Sequence, residues 1–140
     1  MIAIDTSVLI DLIGADARAA SAEDALRAAL TQGPVVACEV VLAEVVAGLG
    51  HGAVVVDALE ESGIAFSSLE LRSAVRAGEM QRRYKERLRA HQAGTARGRT
   101  VPDFLIGAHA LMQCNALITR DAGFFRDYFK GLKVIEPRAA

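Results

Sequence analysis

Short apolar runs alternate along this chain with longer segments in which apolar residues recur at helical spacing. The apolar runs, which we predict as strands, are 1–4, 35–37, 64–66, 116–119 and 132–135. The helical segments begin at Ser7 and continue at 22–30, 39–49, 53–61, 70–90, 102–113 and 122–129. Strands that alternate with helices predict an α/β domain: a three-layer α/β/α sandwich around a mostly parallel sheet.

Local patterns refine two of these helices. Ser21 and Asp24 have the spacing of a capping box, which places the start of the second helix at Ala22. On the long helix 70–90, apolar and small residues are predicted to face the core. They are Leu71, Ala74, Val75, Gly78 and Gln81.

Composition limits the architecture and the compartment. The 140 residues suit one domain spanning 1–140, and a content of 52% apolar but only 5% aromatic residues predicts an aliphatic core. Cys38 and Cys114 lie in apolar runs without metal-ligand spacing, which predicts buried, reduced thiols. The longest uncharged run, 104–119, is shorter than the roughly 20 residues of a membrane span. We therefore expect a cytoplasmic protein without a membrane segment.

The net charge of −1 hides an asymmetry between the two halves of the chain. Residues 1–71 contain 11 Asp or Glu and 2 Arg, whereas residues 72–140 contain 14 Lys or Arg and 6 Asp or Glu. An acidic site beside a basic docking surface would produce this distribution.

Four acids stand in otherwise apolar sequence near the ends of predicted elements. Asp5 ends the first strand, and Asp121 follows the strand that contains "ALIT". Asp103 lies in the first turn of a helix, and Glu44 lies inside an apolar helical segment. Ligands of parallel sheets bind beyond the carboxyl ends of the strands, so the fold would bring these acids together.

Each acid also has an ordinary structural interpretation. Asp103 has the position of a helix-capping carboxylate, Asp121 that of a turn residue, and Glu44 would simply face solvent. Asp5 is the hardest to explain in this way, because a carboxylate that ends a buried strand needs partners. One shared site accounts for all four.

A bare cluster of four carboxylates would protonate, unfold locally or bind a cation, since two of them ~4 Å apart repel by roughly 4 kcal/mol at an effective dielectric constant near 20. Oxygen ligands without a His or Cys set favour Mg²⁺, or alternatively Mn²⁺. Such a metal can activate a water molecule to attack a phosphodiester and offset charge on the phosphate. Thr6, Ser7 and Thr119 are placed to orient the carboxylates or waters, although Ser7 fits a simple turn hydroxyl equally well.

Four stretches of the sequence resemble the motifs of PIN-domain nucleases, most closely those of VapC-type toxins. They are "IDTSVLIDL" at 4–12, "LAEVVAGL" at 42–49, "VPDFLIGAHAL" at 101–111 and "LITRDAGFF" at 117–125. The resemblance implies a catalytic metal site with a specific set of residues. The metal ligands would be Asp5, Glu44, Asp103 and Asp121, and the supporting residues Thr6 and Thr119.

The resemblance also implies an activity and partners. It implies a divalent-metal-dependent endoribonuclease that forms a homodimer and is the toxin of a type II toxin–antitoxin pair. A small antitoxin would inhibit it by pressing a basic or apolar tail onto the active face. The alternative is a phospho-acceptor signalling domain or another non-catalytic α/β binding domain. A phospho-acceptor domain, however, would need an acidic pair after the first strand and a Lys where "ALITRD" has Arg.

The basic half of the chain suggests where RNA would bind. Arg97 and Arg99 lie in a segment that leads into Asp103, and Arg suits bidentate phosphate contacts. We expect these two arginines to guide the RNA backbone, whereas the helix before them reads equally as a solvated charged face.

Several further polar and aromatic residues are predicted to be structural. His109 is expected in the core or at an interface, Asp11 and Glu39 at element ends or on the surface, and Tyr84 and Tyr128 in packing.

Overall fold

Five short parallel strands form the central sheet of the protein, as seen in a computed structural model that describes residues 1–90 and 98–138. The strands are β1 Ile2–Ile4, β2 Val35–Ala37, β3 Ile64–Phe66, β4 Ala116–Ile118 and β5 Lys133–Ile135. Their order across the sheet is β3-β2-β1-β4-β5. The pairing is parallel throughout, with Ile2 aligned to Val35 on one side and to Ala116 on the other.

Helices connect and flank the strands. Those in the described residues are α1 Thr6–Gly14, α2 Ala19–Leu30, α3 Glu39–Leu49, α4 Gly52–Glu61, α5 Leu71–Ala90, α6 Val101–Gln113 and α7 Ala122–Tyr128. The predicted α/β/α fold class is confirmed. Because the chain runs from β1 outward to β3 and then crosses to β4, the topological switch point lies between β1 and β4. Asp5 and Thr119 directly follow these two strands.

Two local predictions are wrong. Helix α2 begins at Ala19 rather than Ala22, and the Ser21 hydroxyl donates to the Arg18 carbonyl within the helix instead of capping it. Of the five residues predicted to face the core from α5, only Gln81 is buried, together with Ser73, Ala77 and Tyr84. Leu71 is 82% exposed, and the other three predicted residues, Ala74, Val75 and Gly78, are exposed as well. Small side chains on the buried face let α5 approach α6 closely.

The core is aliphatic under the sheet centre but aromatic at one end, which composition did not predict. Every residue of β1 is buried, and so are Val8 and Leu9 of α1. On the other side, α6 and α7 meet through stacked and edge-on rings. The rings are Phe104, Phe124, Phe125 and Phe129. In the described residues, no helix has the length and apolarity to cross a membrane.

The close contact between α6 and the aromatic cluster makes Gly107 sensitive to substitution. A Cβ at Gly107 would lie 2.2 Å from Phe129 Cζ, whereas one at Gly78 on α5 would meet nothing within 4 Å. We therefore expect Gly107→Ala to lower the free energy of unfolding by about 1–3 kcal/mol through overpacking. Gly78→Ala should raise it by about 0.5–1 kcal/mol, since Ala favours the helix. Urea unfolding of both variants checks this, and an unchanged midpoint for Gly107→Ala would contradict the close packing.

Candidate active site

Asp5 is the centre of a hydrogen-bonded group at the carboxyl edge of the sheet. Its side chain caps α1, because Oδ1 accepts from the Thr6 backbone N–H at 2.8 Å. The other oxygen, Oδ2, accepts from the Thr119 hydroxyl at 2.6 Å. Asp5 is only 7% exposed. The two bonds fix the orientation of a carboxylate that has little access to water.

Thr6 and Thr119 connect Asp5 to two other predicted site acids. The Thr6 hydroxyl donates to Glu44 Oε1 on α3 at 2.6 Å. The Thr119 hydroxyl, which is fully buried, accepts from the Asp121 backbone N–H at 2.9 Å. Glu44 is half-buried and thus contacts this group rather than facing only solvent. Two of the other three predicted acids, Glu44 and Asp121, thus contact the threonines that hold Asp5.

Asp103 caps a helix, as its sequence position suggested, and also lies near Asp5. It belongs to a capping box at the start of α6, where its Oδ2 accepts from the Thr100 backbone N–H at 3.2 Å. Its charge nevertheless lies close enough to Asp5 to raise the pKa of that residue. A helix-capping bond uses one carboxylate oxygen and leaves the other available.

The pKa of Asp5 reflects this environment. Burial raises it from 3.8 to about 6, and the hydrogen bonds from Thr119 and Thr6 only partly oppose this effect. The negative charges of Glu44 and Asp103 raise it further. Desolvation and like charges both disfavour the ionised carboxylate, and a nearby cation would reverse both effects.

Asp121 is paired with Arg99, an arrangement that sequence reasoning did not predict. The guanidinium donates to both carboxylate oxygens of Asp121, with Nη2 at 3.2 Å from Oδ1. It also lies over the Phe124 ring, 4.3 Å from the centroid. The carboxylate in turn raises the pKa of Arg99. Arg99 thus lies at the acidic group, whereas Arg97 is outside the described residues.

Other polar residues near the site have structural roles. Asp11, predicted at an element end or on the surface, is instead buried in α1, and its Oδ2 lies 2.7 Å from Arg120 Nε. This ion pair links the β4–α7 connection to α1. It was not predictable from the local sequence, because the two residues are far apart along the chain. Glu39 accepts from the Leu69 backbone N–H at an element end, as predicted. His109 is buried against Ser67, also as predicted.

The side chains available as metal ligands determine which metal the site could bind. Within residues 1–90 and 98–138, no group of three or more His, Cys, Asp or Glu side chains is arranged to hold a metal ion by itself. Mg²⁺ needs no such cage, since it binds one or two carboxylates directly and keeps several waters. The Ser7 hydroxyl, next to Thr6, is buried and has no partner among the described residues, so it could bind such a water. The residues fit a hydrated Mg²⁺ or Mn²⁺.

Fold and site together define an α/β protein with an acidic centre at the switch point of a parallel sheet. The family model for the PIN domain matches residues 2–130. The chain therefore belongs to the PIN-domain family, as its motifs predicted. No functionally curated protein matches it.

Solved structures with the same fold cover nearly the whole chain. VapBC2 from Rickettsia felis, bound to a DNA fragment from its promoter, superposes with a TM-score of 0.68 at 20% identity, covering 97% of this chain and 98% of its own. DNA-bound VapBC from Salmonella typhimurium gives 0.64 at 16% identity, covering 98% of each chain. VapC20 from Mycobacterium tuberculosis, a Sarcin-Ricin loop cleaving toxin, gives 0.62 at 19% identity, covering 95% and 99%. At these identities the likeness concerns the fold.

Proposed function

We propose that this protein is a divalent-metal-dependent endoribonuclease and the toxin of a type II toxin–antitoxin pair. The observation that carries the proposal is the geometry around Asp5: Thr6 and Thr119 hold its buried carboxylate in place, and the Thr6 hydroxyl also binds Glu44. PIN-domain membership and the likeness to an RNA-cleaving toxin support the choice of substrate.

Each residue of the site would have a separate role in binding the metal, orienting the carboxylates or contacting the RNA. Asp5 would hold Mg²⁺ or Mn²⁺, together with Glu44 or Asp103, directly or through water. Thr6 and Thr119 would keep the Asp5 and Glu44 carboxylates in fixed orientations, which lowers the cost of assembling the site. When bound, the metal supplies activation of water and neutralisation of charge on the scissile phosphate. Arg99, already beside Asp121, is placed to contact a neighbouring phosphate.

The partners follow from the same proposal. Structures of the same fold include VapBC complexes, which supports a small cognate antitoxin. Exposed apolar side chains at the end of β3 and the start of α5 support a homodimer, because an interface there would remove them from water. Phe66 is 58%, Leu71 82% and Val75 54% exposed.

Cleavage assays with matched variants test the proposal. We expect purified protein to cut single-stranded RNA with Mg²⁺ or Mn²⁺ but not with EDTA. Asp103→Asn should reduce cleavage by about 100-fold or more, since losing a ligand costs at least as much as losing a group that only orients one. Asp57→Asn, the same change at an exposed position on α4, should leave cleavage intact.

A binding measurement makes the test independent of the choice of RNA. Mg²⁺ at about 100 times its Kd should add about 2.7 kcal/mol of stability to the wild type and much less to Asp103→Asn. A melting temperature that does not respond to either metal in the wild type would count against the nuclease proposal.

A further inference from the structure

Beside the acidic site, α5, α6 and the end of α7 enclose a groove of about 380 Å³ with a strong excess of positive charge. We call it the basic groove. Its cations are Arg76, Arg83 and Arg87 of α5 and Lys130 after α7, and its acid is Asp127. Tyr84 and Tyr128 form an aromatic wall, and Met80, Leu111 and Phe129 contribute apolar surface.

The cations of the basic groove have no ion-pair partner within residues 1–90 and 98–138. Among the ion pairs of the described residues, none involves Arg76, Arg83, Arg87 or Lys130. On the neighbouring face of α5, by contrast, Arg82 pairs with Glu86 at 3.3 Å. Like charges gathered in one concave surface raise the local potential and attract a polyanion.

The basic groove is connected to the acidic site through one residue. Tyr84 lines the groove, and its hydroxyl accepts from the Arg99 backbone N–H at 2.9 Å. Arg99 in turn holds Asp121 with its side chain. The Tyr84 part of the groove is therefore adjacent to the Arg99–Asp121 pair.

The lining of the groove favours RNA over an acidic protein segment. Three of the four cations are arginines, which bind phosphates bidentately and stack on bases. The Arg87 guanidinium lies over the Tyr128 ring, 5.4 Å from its centroid, and Tyr128 is half-buried. Such a platform accepts the face of any unpaired base. An acidic peptide would use the charges but would leave this platform without a function.

We propose that the basic groove binds the single-stranded RNA that flanks the scissile phosphate. This inference rests on the proposed ribonuclease function, and it assigns to α5 and the end of α7 a substrate-binding role. The part of α5 that faces the groove, with Arg76, Arg83 and Arg87, is then a binding surface. The part around Arg82 is a solvated surface.

A pair of double variants tests the groove. Arg83→Gln with Arg87→Gln removes two exposed groove cations, and Arg82→Gln with Arg89→Gln removes two exposed cations from the same helix outside the groove. The probe is a fluorescein-labelled 12-nucleotide oligouridylate, followed by anisotropy in EDTA between 50 and 300 mM KCl. We expect the groove variant to bind about tenfold more weakly, with a salt slope smaller by roughly 1.4, since each single-strand phosphate contact contributes about 0.7. The control variant should stay within twofold.

The outcomes separate this inference from the proposed function. Equal losses in both variants, or no loss in the groove variant, would overturn it. It would also fall if a polyglutamate peptide bound with the same dependence on Arg83 and Arg87 and displaced the oligouridylate, because the groove would then be a protein-docking site. The anisotropy needs no catalysis, so a groove-specific loss supports the groove even if Asp103→Asn does not affect cleavage. If the wild type cleaves RNA and the groove variant keeps its KM, only the groove proposal fails.

Discussion

Asp5→Asn should make the metal-free protein more stable at neutral pH while abolishing cleavage of RNA. The ionised Asp5 carboxylate is buried beside Glu44 and Asp103, and its pKa of about 6 against an ordinary 3.8 corresponds to about 3 kcal/mol opposing ionisation. Asn removes the charge, and its oxygen can accept from Thr6 N–H. Its amide would donate to Thr119, which reverses the present bond, so the Thr119 hydroxyl needs another acceptor and part of the gain is lost. Asn also caps helices as well as Asp does.

The raised pKa of Asp5 determines at which pH Asp5→Asn should stabilise the protein. The folded-state pKa of Asp5 is raised, so the folded protein retains its proton where the unfolded chain has already lost it. The contribution of Asp5 to stability is therefore full below about pH 4, falls as pH rises, and is lost above about pH 6. Asn does not titrate. The advantage of Asp5→Asn should thus be small at pH 4 and reach about 1–3 kcal/mol at pH 7.5, reduced by the loss of a favourable charge at the start of α1.

Urea unfolding in EDTA at pH 4 and pH 7.5 measures this difference, with Asp57→Asn as the matched surface control. Adding Mg²⁺ should reverse the order, because the wild type binds the metal and the variant does so poorly. An Asn variant that is destabilised equally at both pH values would show that Asp5 serves as an ordinary helix cap. Stabilisation combined with full ribonuclease activity would remove Asp5 from the catalytic centre.

The sequence was sufficient for the fold because its strands are short, apolar except for Lys133 in β5, and regularly separated by helices. Each of the five strands lies within one residue of its predicted ends. The buried face of α5 was not predictable from hydropathy, because its contact with α6 depends on small side chains such as Ser73 and Ala77. Where two helices pack closely, the buried side chains must be small as well as tolerant of burial. The larger apolar residues Leu71 and Val75 are exposed instead.

The site was predictable as a set of acids but not as a network. Strand ends and helix starts place Asp5, Asp103 and Asp121 at one edge of a parallel sheet. The pairing of Arg99 with Asp121, and of Arg120 with Asp11, depends on which side-chain conformations meet in the folded chain. Spacing along the sequence contains no information about that choice. The resemblance to the family suggested roles for the acids through their motifs, whereas their contacts are seen only in the folded chain.

Arg99→Met should increase the affinity of the protein for Mg²⁺ and decrease its affinity for RNA. The Arg99 guanidinium neutralises Asp121 at the edge of the acidic group, and it competes with any cation there. Both side chains are about one-third exposed, so solvent screens the pair and its net effect is about 1 kcal/mol. Met keeps the aliphatic part of the side chain but removes the guanidinium that lies over the Phe124 ring. We therefore expect Mg²⁺ to bind about fivefold more tightly.

Calorimetric titration of Mg²⁺ into the Arg99→Met variant measures the first effect, and oligouridylate anisotropy in EDTA measures the second. Arg126→Met on α7 removes an equal charge outside the site and should change neither affinity. An unchanged Mg²⁺ affinity would mean that Asp121 does not contribute to the metal site. An unchanged RNA affinity would mean that Arg99 serves only as the partner of Asp121. The two measurements together decide whether Arg99 exchanges its carboxylate partner for a phosphate when substrate and metal bind.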